Sequence, residues 1–450
     1  MLKKLRPPFL DFSIATLNFL ANVGIMLPYV LILFKYKETQ SINYLVAIVV
    51  FYVARAASVF STKRWNLKSS TYLMICLWLG MIGSVIFSLT STLGWLVAGA
   101  LCLGYTSANI WPYFLTIKLH LTAKTDFKLK RLYWLIFLVL GLLFAVDFMF
   151  DLQYKLAFVL LAVLFILALP AGRLLDQFSL AFYNDQERPA KQPLKWWRIA
   201  LFVIFFSVMA LLTLLRKTSL SIALPWVLAA IVVAIVILNI ELAADWKAMP
   251  ANKLRIVNRG FLICVVLLFS SFFAYFVLGK LGMYMVFGYY LIGFEGGHPL
   301  YSALAHQQSD RAKRYAEIGL VAGHILILTT QPVLYSLGLI LIALYVGYEN
   351  PAINTSVYTA DENDPDLAII NKYRFSTYGG LLCQLLFFGL LVTVSGLNQL
   401  KLMAFFNPTA TTSASLYLHG LAWPVTGLSF VVSMVAIYSQ NRHDHASKSV

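Results

Sequence analysis

Residues 70–89 read STYLMICLWLGMIGSVIFSL and contain no charged side chain. About 20 apolar residues in a helix are enough to cross the ~30 Å of hydrocarbon in a bilayer. Similar apolar runs recur along the 450-residue chain, with short loops between most of them. They predict an all-α polytopic membrane protein. Its fourteen spans lie near 9–34, 42–60, 70–89, 92–117, 132–150, 153–171, 197–215, 219–242, 258–279, 281–305, 315–331, 333–349, 374–396 and 416–438.

The overall composition excludes a soluble protein. Hydrophobic residues make up 60% of the chain and charged residues only 12%, against about 45–50% and 25% in ordinary globular domains. A soluble fold of this composition would have more apolar surface than its few polar residues could cover.

The basic residues predict the orientation. Lys and Arg number 35 against 19 acidic residues, and they cluster between the apolar runs. That pattern is typical of cytoplasmic loops facing anionic lipid headgroups, and it argues against nucleic acid as a partner. With both termini in the cytoplasm, 27 of the 35 lie inside and Arg55 lies within a span. The seven outside are Lys35, Lys37, Lys155, Arg216, Lys217, Lys280 and Lys401.

Two details of this topology depend on local sequence. The apolar stretch after Arg6 extends to about Phe34, which is too long for a cleaved signal sequence, so we expect an uncleaved first helix in a cell membrane. The short spans on either side of Gln331-Pro332 could form one kinked helix. The charge pattern favours two, because merging them would move Lys372 and Arg374 outside.

Two longer connections interrupt the apolar pattern. Residues 172–196 carry mixed charge and two prolines, and we interpret them as a cytoplasmic linker. The only acidic loop, 350–372, contains Asp361, Glu362, Asp364 and Asp366 but lacks the glycine and distal glutamate of an EF-hand, so we expect a solvated loop and no metal site. The cysteines lie singly in apolar runs, as small buried residues do: Cys76, Cys102, Cys264 and Cys383.

Glu295 and His298 are the candidates for proton coupling. They lie three residues apart in GFEGGHPLYSAL, on one helical face, and the glycines and Pro299 weaken the helix there. A carboxylate beside an imidazole can pass a proton. The alternative is a capped helix kink.

Other polar residues within the apolar runs could line a substrate path. Arg55 either reaches the headgroups or faces the interior to bind an anion or an ion-pair partner. The uncharged candidates could equally join neighbouring helices; with Arg55 the set is Asn22, Asn109, Trp111, His324 and Gln384.

No nucleotide-binding loop, nucleophile elbow or zinc-protease motif occurs. We therefore predict neither an enzyme nor a bound cofactor.

The architecture resembles the major facilitator superfamily of transporters. That family has a basic Gly-x-x-x-Asp-Arg-x-Gly-Arg-Arg-like loop after its second helix. Here VFSTKRWNLKSS retains Arg64 and Lys68, and a second copy, AHQQSDRAKRYAEIG, retains Asp310 and Arg311. The resemblance implies two six-helix bundles, and these four residues would act in the conformational loops.

A weak internal repeat supports the two bundles. GYTSANIWPYFLT at 104–116 and GYENPAINTSVYT at 347–359 both close a helix. If they belong to the fourth helices of the two halves, two extra helices are inserted centrally. The domains are then a bundle at 1–171, the linker at 172–196, the helix pair at 197–242 and a second bundle at 243–450. The alternative places the extra pair at the C-terminus.

The resemblance implies a secondary active transporter working by alternating access. The few charges in the apolar runs favour a small neutral or amphipathic solute. Two alternatives remain: a flippase for a lipid-linked glycan precursor, and an intramembrane enzyme or scaffold.

Overall fold

The computed structural model describes residues 8–22, 27–62, 67–124, 154–183, 196–217, 224–248, 253–360, 365–397 and 414–448. Within these ranges the chain forms fourteen α-helices, one π-helical segment at Val265–Phe269 and no strand. The helices are α1 Pro8–Asn22, α2 Leu27–Thr39, α3 Ile42–Thr62, α4 Ser69–Leu89, α5 Leu93–Lys124, α6 Tyr154–Tyr183, α7 Trp196–Lys217, α8 Leu224–Ala248, α9 Lys253–Cys264, α10 Ser270–Leu304, α11 Ser309–Leu328, α12 Pro332–Ala360, α13 Pro365–Leu397 and α14 Ala414–Lys448.

Eight segments of the described helices are long and apolar enough to cross a membrane, and a ninth results if α1 and α2 count as one span bent by 57°. The eight are Ile42–Phe60, Ser69–Leu89, Leu93–Thr122, Tyr154–Leu175, Pro225–Ala243, Pro332–Thr359, Ala368–Val394 and Gly420–Arg442. The protein is therefore a multi-pass membrane protein. Its predicted all-α fold is confirmed, while the predicted span 132–150 lies outside the described residues.

Several predicted boundaries differ from those of the helices. The first span, 9–34, covers α1 and α2, which can count as one bent span. The predicted linker at 172–196 overlaps α6, which continues through Pro170 to Tyr183, and its assignment as a cytoplasmic linker stays a prediction. The acidic loop at 350–372 is mostly helical, since α12 runs to Ala360 and α13 begins at Pro365. Prolines inside both α6 and α12 are accommodated without ending the helix, as happens where neighbouring helices support the backbone.

The two helices predicted around Gln331-Pro332 are separate in the structure. α11 ends at Leu328 and α12 begins at Pro332. Thr330 between them has a φ of 56°, which is left-handed backbone that a continuous α-helix cannot contain. The prediction of two separate helices here is confirmed; α12 is among the eight candidate spans and α11 is not, so the second span stays a prediction.

The chain from α9 to the start of α10 runs antiparallel to α12. Near the start of α9, Arg255 forms an ion pair with Glu349, in the second half of α12. Eighteen residues later, Phe273 stacks on Tyr335 near the start of α12, with ring centroids 4.0 Å apart. As the residue number rises from 255 to 273, the contacted residue on α12 falls from 349 to 335, so the two segments run antiparallel.

The second part of α10 runs parallel to α12. Gly293 packs against Ala343, and further along Tyr301 meets the ring of Tyr348 at 5.8 Å. The contacts with α12 therefore run backward at Phe273 and forward from Gly293 onward, within the stretch assigned to α10. Neither predicted span, 258–279 nor 281–305, is among the eight candidate spans, and both stay predictions.

The residues form two compact units. The first comprises Met1–Leu214 with Asn363–Ile370, and the second Leu215–Glu362 with Asn371–Val450. The predicted domain bounds differ from this division by placing 197–242 in a separate helix pair, and that assignment stays a prediction.

The core of the first unit surrounds α5, which packs on α3 and α4, while α4 packs on α6. Tyr72 stacks on Tyr113 with centroids 4.7 Å apart, joining α4 to α5. Ser13 of α1 accepts a hydrogen bond from the Ala171 amide at 2.9 Å and donates one to the Leu167 carbonyl at 2.6 Å. The Ser13 hydroxyl thereby bonds to backbone groups of α6 on both sides of Pro170, where a kink is expected.

Glycines allow α10 and α12 to pack with their backbones in contact. A Cβ added at Gly297 would lie 2.0 Å from the Leu344 carbonyl oxygen, and one at Gly347 would lie 2.1 Å from the Phe294 carbonyl oxygen. Small residues at helix interfaces drive association in lipid, because the packing contacts replace a hydrophobic driving force.

We predict that Gly297→Ala lowers the stability of the folded protein. The added methyl meets backbone, which cannot rotate away, and overpacking of this kind costs about 1–3 kcal/mol. Gly288→Ala in the same helix is the matched control, since nothing lies within 4 Å of its Cβ position. Thermal unfolding of the purified variants measures the difference, and equal melting temperatures would contradict the packing described for Gly297.

Candidate functional site

In the first unit, Asn109 links α3 to α5. Its Nδ2 donates to Ser58 Oγ at 3.1 Å and to the Tyr105 carbonyl at 2.8 Å. The Asn109 Oδ1 atom and the Tyr105 hydroxyl are buried without a hydrogen-bond partner among the described residues. Buried polar atoms are usually paired, so these two are candidates to meet a ligand or water. Trp111, two residues on, is half-buried.

Arg55 lies one turn before Ser58 on α3 and is half-buried. Its guanidinium is in electrostatic range of the hydroxyls of Tyr29 and Tyr52. No described carboxylate forms an ion pair with it. The structure therefore brings Arg55 and Asn109 to the same α3–α5 interface, which the sequence did not predict.

Other predicted path residues make local or helix-joining contacts. Asn22 is exposed at the end of α1 and donates to the Asn18 carbonyl at 2.8 Å. His324 is fully buried; its two ring nitrogens lie 2.8 Å from the Leu320 carbonyl oxygen and 2.9 Å from Ser429 Oγ. His324 thereby joins α11 to α14. Gln384 is half-buried on α13.

The predicted conformational-loop residues lie near helix starts. Lys68 precedes α4 and is half-buried, and Asp310 and Arg311 are exposed in the first turn of α11. Arg64 lies outside the described residues, as do Asp361, Glu362 and Asp364 of the acidic segment.

Glu295 and His298 lie on α10 at the edge of its glycine interface with α12. Both are exposed, whereas Gly297 between them is buried. The His298 ring lies over Tyr348 at 6.2 Å. Glu295 makes no hydrogen bond or ion pair with a described residue, so the two candidates share a helix but not a hydrogen bond.

The second unit contains a buried ion pair that the sequence analysis did not single out. Arg255 of α9 donates through Nε and Nη2 to both carboxylate oxygens of Glu349 on α12. Glu349 is only 3% exposed. A bidentate arginine–carboxylate pair is among the strongest side-chain contacts and fixes its geometry. It joins the start of α9 to the last turns of α12.

Three further cations of this unit are buried: Arg259, Lys372 and Arg374. Arg374 Nη2 lies 3.5 Å from the backbone carbonyl oxygen of Glu241. Lys372 donates to the side-chain oxygens of Asn350, at 3.1 Å, and Asn354. The predicted span 374–396 left Lys372 in a loop, although α13 begins at Pro365. Arg259 and Arg374 fall at the predicted span starts 258 and 374, where they are counted among the cytoplasmic charges.

One sequence signal could have revealed these residues. Lys372 and Arg374 are flanked by Ile370 and Phe375 rather than by polar loop residues. Asn350 and Asn354 belong to the repeat motif at 347–359, which was recognised only as a marker of architecture.

Metal-binding groups are absent from the part of the chain that the structure describes: no cluster of three or more histidine, cysteine or acidic side chains occurs there. All four cysteines are unpaired, and Cys102 alone is not fully buried.

No protein-family model and no curated protein matches the sequence. Solved structures match in fold. A POT family transporter in complex with a thioalcohol-conjugated peptide is 14% identical with a TM-score of 0.56, covering 96% of both chains. Peptide transporter POT in complex with sulfate is 13% identical with a TM-score of 0.53, covering 97% of this chain and 95% of that one. A POT family transporter in complex with 5-aminolevulinic acid has a TM-score of 0.53 at 14% identity, covering 95% of each.

These likenesses show the fold alone: the chain shares the fold of the POT structures just named. The fold predicted from the sequence is confirmed at this level. Identities this low leave substrate and mechanism to be argued from the residues of this chain.

We predict that Glu349→Met alone destabilises the protein by about 3–5 kcal/mol, because it removes the carboxylate that forms the bidentate pair with the largely buried Arg255 guanidinium. The double variant Arg255→Met/Glu349→Met is expected to recover most of that loss, since it removes both charges. Denaturant unfolding of the three proteins measures this. A double variant no more stable than the single one would show that Arg255 and Glu349 do not act as a pair.

Proposed function

We propose that the protein is a secondary active transporter of a cell membrane, with both termini in the cytoplasm, that moves a small amphipathic solute by alternating access. The observation that carries the proposal is a fold likeness to peptide transporters over nearly the whole of each chain, combined with polar and charged side chains buried inside apolar helical units. Ionisable groups at membrane depth are costly and usually mark a path for substrate or ions.

In the first unit, polar groups with unused hydrogen-bonding capacity support the proposal of a transporter. Arg55, Tyr105 and Asn109 lie where α3 meets α5, a contact made close by Gly104, whose Cβ would lie 2.6 Å from the Phe51 carbonyl oxygen. Buried polar atoms are usually paired, so unpaired ones at this contact favour a place where a solute or water binds. We propose that these residues contact the solute in the first unit.

We propose proton coupling through Glu295 and His298. Glu295 is a carboxylate in a predominantly apolar helix, exposed at its position on α10. An ionised carboxylate facing hydrocarbon is strongly disfavoured, so this position favours a group that either faces water or carries a proton during the cycle. His298, one turn away, is the neighbouring proton carrier.

The topology is tested by single cysteines in a variant whose four native cysteines are replaced by alanine. Ser91→Cys lies in the exposed turn between α4 and α5, predicted outside, and Gln308→Cys lies in the exposed turn before α11, predicted inside. A membrane-impermeant maleimide added to whole cells should label the first and spare the second, with the reverse in inside-out vesicles. Labelling of Gln308→Cys from outside would contradict the predicted cytoplasmic location of this turn.

The coupling is tested with Glu295→Gln. Proteoliposomes are screened with a panel of labelled small solutes, with and without an imposed pH gradient. We expect the wild type to accumulate its solute in response to the gradient, and Glu295→Gln to lose that response while retaining exchange. Glu38→Gln, an exposed carboxylate paired with Lys35, is the control. Gradient-driven uptake that persists in Glu295→Gln would remove this residue from the mechanism.

A further inference from the structure

Residues 376–379 of α13 are held close to α9 by two glycines. A Cβ added at Gly260 would lie 1.8 Å from the Ser376 carbonyl oxygen, and one at Gly379 would lie 2.0 Å from the Val257 carbonyl oxygen. The two backbones are therefore in contact over about one turn of each helix. Arg259, which precedes Gly260, is brought beside the turn of α13 that carries Lys372 and Ser376.

Lys372 is fully buried, with 0% of its surface exposed. Its ammonium donates to Asn350 and Asn354, which lie one turn apart on α12. An ammonium group has three N–H donors, so one remains after these two contacts. The two amides solvate the charge without neutralising it.

Arg259 is buried among neutral groups. It is 6% exposed, and its Nη1 donates to Ser376 Oγ at a long 3.4 Å. The guanidinium carbon lies 5.9 Å from the centre of the Phe294 ring. Its Nε is buried with no hydrogen-bond partner among the described residues.

The neighbouring charges do not neutralise these two cations. Glu349 is engaged by Arg255, and no described carboxylate pairs with Arg259 or Lys372. The positive charges of Arg259 and Lys372 act on each other, and like charges in a low-dielectric interior repel strongly. Buried charges are ordinarily paired, because an uncompensated one is costly.

We infer that Arg259 and Lys372 form a binding site for an oxyanion, a carboxylate or phosphate group, with Asn350 and Asn354 fixing the lysine. The anion would accept hydrogen bonds from Arg259 Nε and from the third N–H of Lys372, and it would supply the missing negative charge. The inference rests on the proposed function, which it deepens by naming the substrate class: an amphipathic solute bearing an oxyanion. Both side chains are enclosed in this conformation, so the anion enters when alternating access opens the packing around them.

Binding to the purified full-length protein in detergent tests the site without requiring transport. Calorimetric titration and thermal unfolding are followed with sodium phosphate and sodium acetate, against sodium chloride at equal ionic strength. The oxyanions are expected to bind and to raise the melting temperature, while chloride leaves it unchanged. Arg259→Gln and Lys372→Gln should each lower the affinity about tenfold or more, because each removes a charge-assisted hydrogen bond. Lys313→Gln, whose lysine contacts Asn441 at 2.9 Å, is the matched control and should bind as the wild type.

The unliganded variants provide a second readout. If Arg259 and Lys372 repel each other while awaiting an anion, Lys372→Gln melts at or above the wild-type temperature, and Arg259→Lys, which keeps the charge, does not gain stability. A purely structural lysine predicts the opposite, a lower melting temperature for Lys372→Gln. That result, or oxyanion binding unchanged in both glutamine variants, overturns the inference.

The source of the anion is separated by reconstitution. Nanodiscs of phosphatidylcholine are compared with nanodiscs that also contain phosphatidic acid. Stabilisation by phosphatidic acid that depends on Arg259 and Lys372, without binding of phosphate or acetate, identifies a lipid phosphate, as a flippase would require. If no probe binds the wild type in either setting, the site is refuted, while solute uptake in the proteoliposome panel would leave the proposed function standing.

Discussion

The cost of moving a charge out of water governs where each cation of this chain lies. In hydrocarbon a lysine or arginine must reach the headgroups, find a counter-ion or be enclosed by polar groups. Most basic residues cluster between the apolar runs, where they can reach the headgroups. Arg255 has a counter-ion, Glu349, and Lys372 is enclosed by two asparagines. Arg259 meets none of these three conditions completely.

Close backbone packing makes the enclosure geometrically feasible. Gly260 and Gly379 bring α9 and α13 together, and Gly293, Gly297 and Gly347 do the same for the second part of α10 and α12. Helices packed without side chains between them leave little freedom at the contact. Positions flanking such contacts are consequently well suited to hold Arg259 and Lys372 at a fixed separation. The same glycines that stabilise the second unit therefore also determine the spacing of its buried charges.

Hydropathy and charge asymmetry predicted the fold class, most spans and even the pair of helices divided at Pro332. These properties are averages over about 20 residues, and they are insensitive to one or two enclosed charges. For that reason Lys372 was assigned to a loop, Arg374 was placed at the end of a span, and the helix start at Pro365 was missed. The candidate residues within spans were identified singly, and only the structure shows that Arg55 and Asn109 share an interface while His324 is committed to Ser429.

The repeat motif now has a physical meaning beyond architecture. Its first copy supplies Tyr105 and Asn109, with unsatisfied polar atoms in the first unit. Its second copy supplies Glu349, Asn350 and Asn354, which hold one arginine and one lysine in the second. Each copy lies in a helix with an internal proline, Pro112 or Pro351, where a carbonyl loses its helical partner. Each copy of the motif therefore places polar groups, rather than apolar packing alone, within an apolar helix. In a membrane-embedded fold such placement is costly unless a ligand or the cycle itself makes use of it.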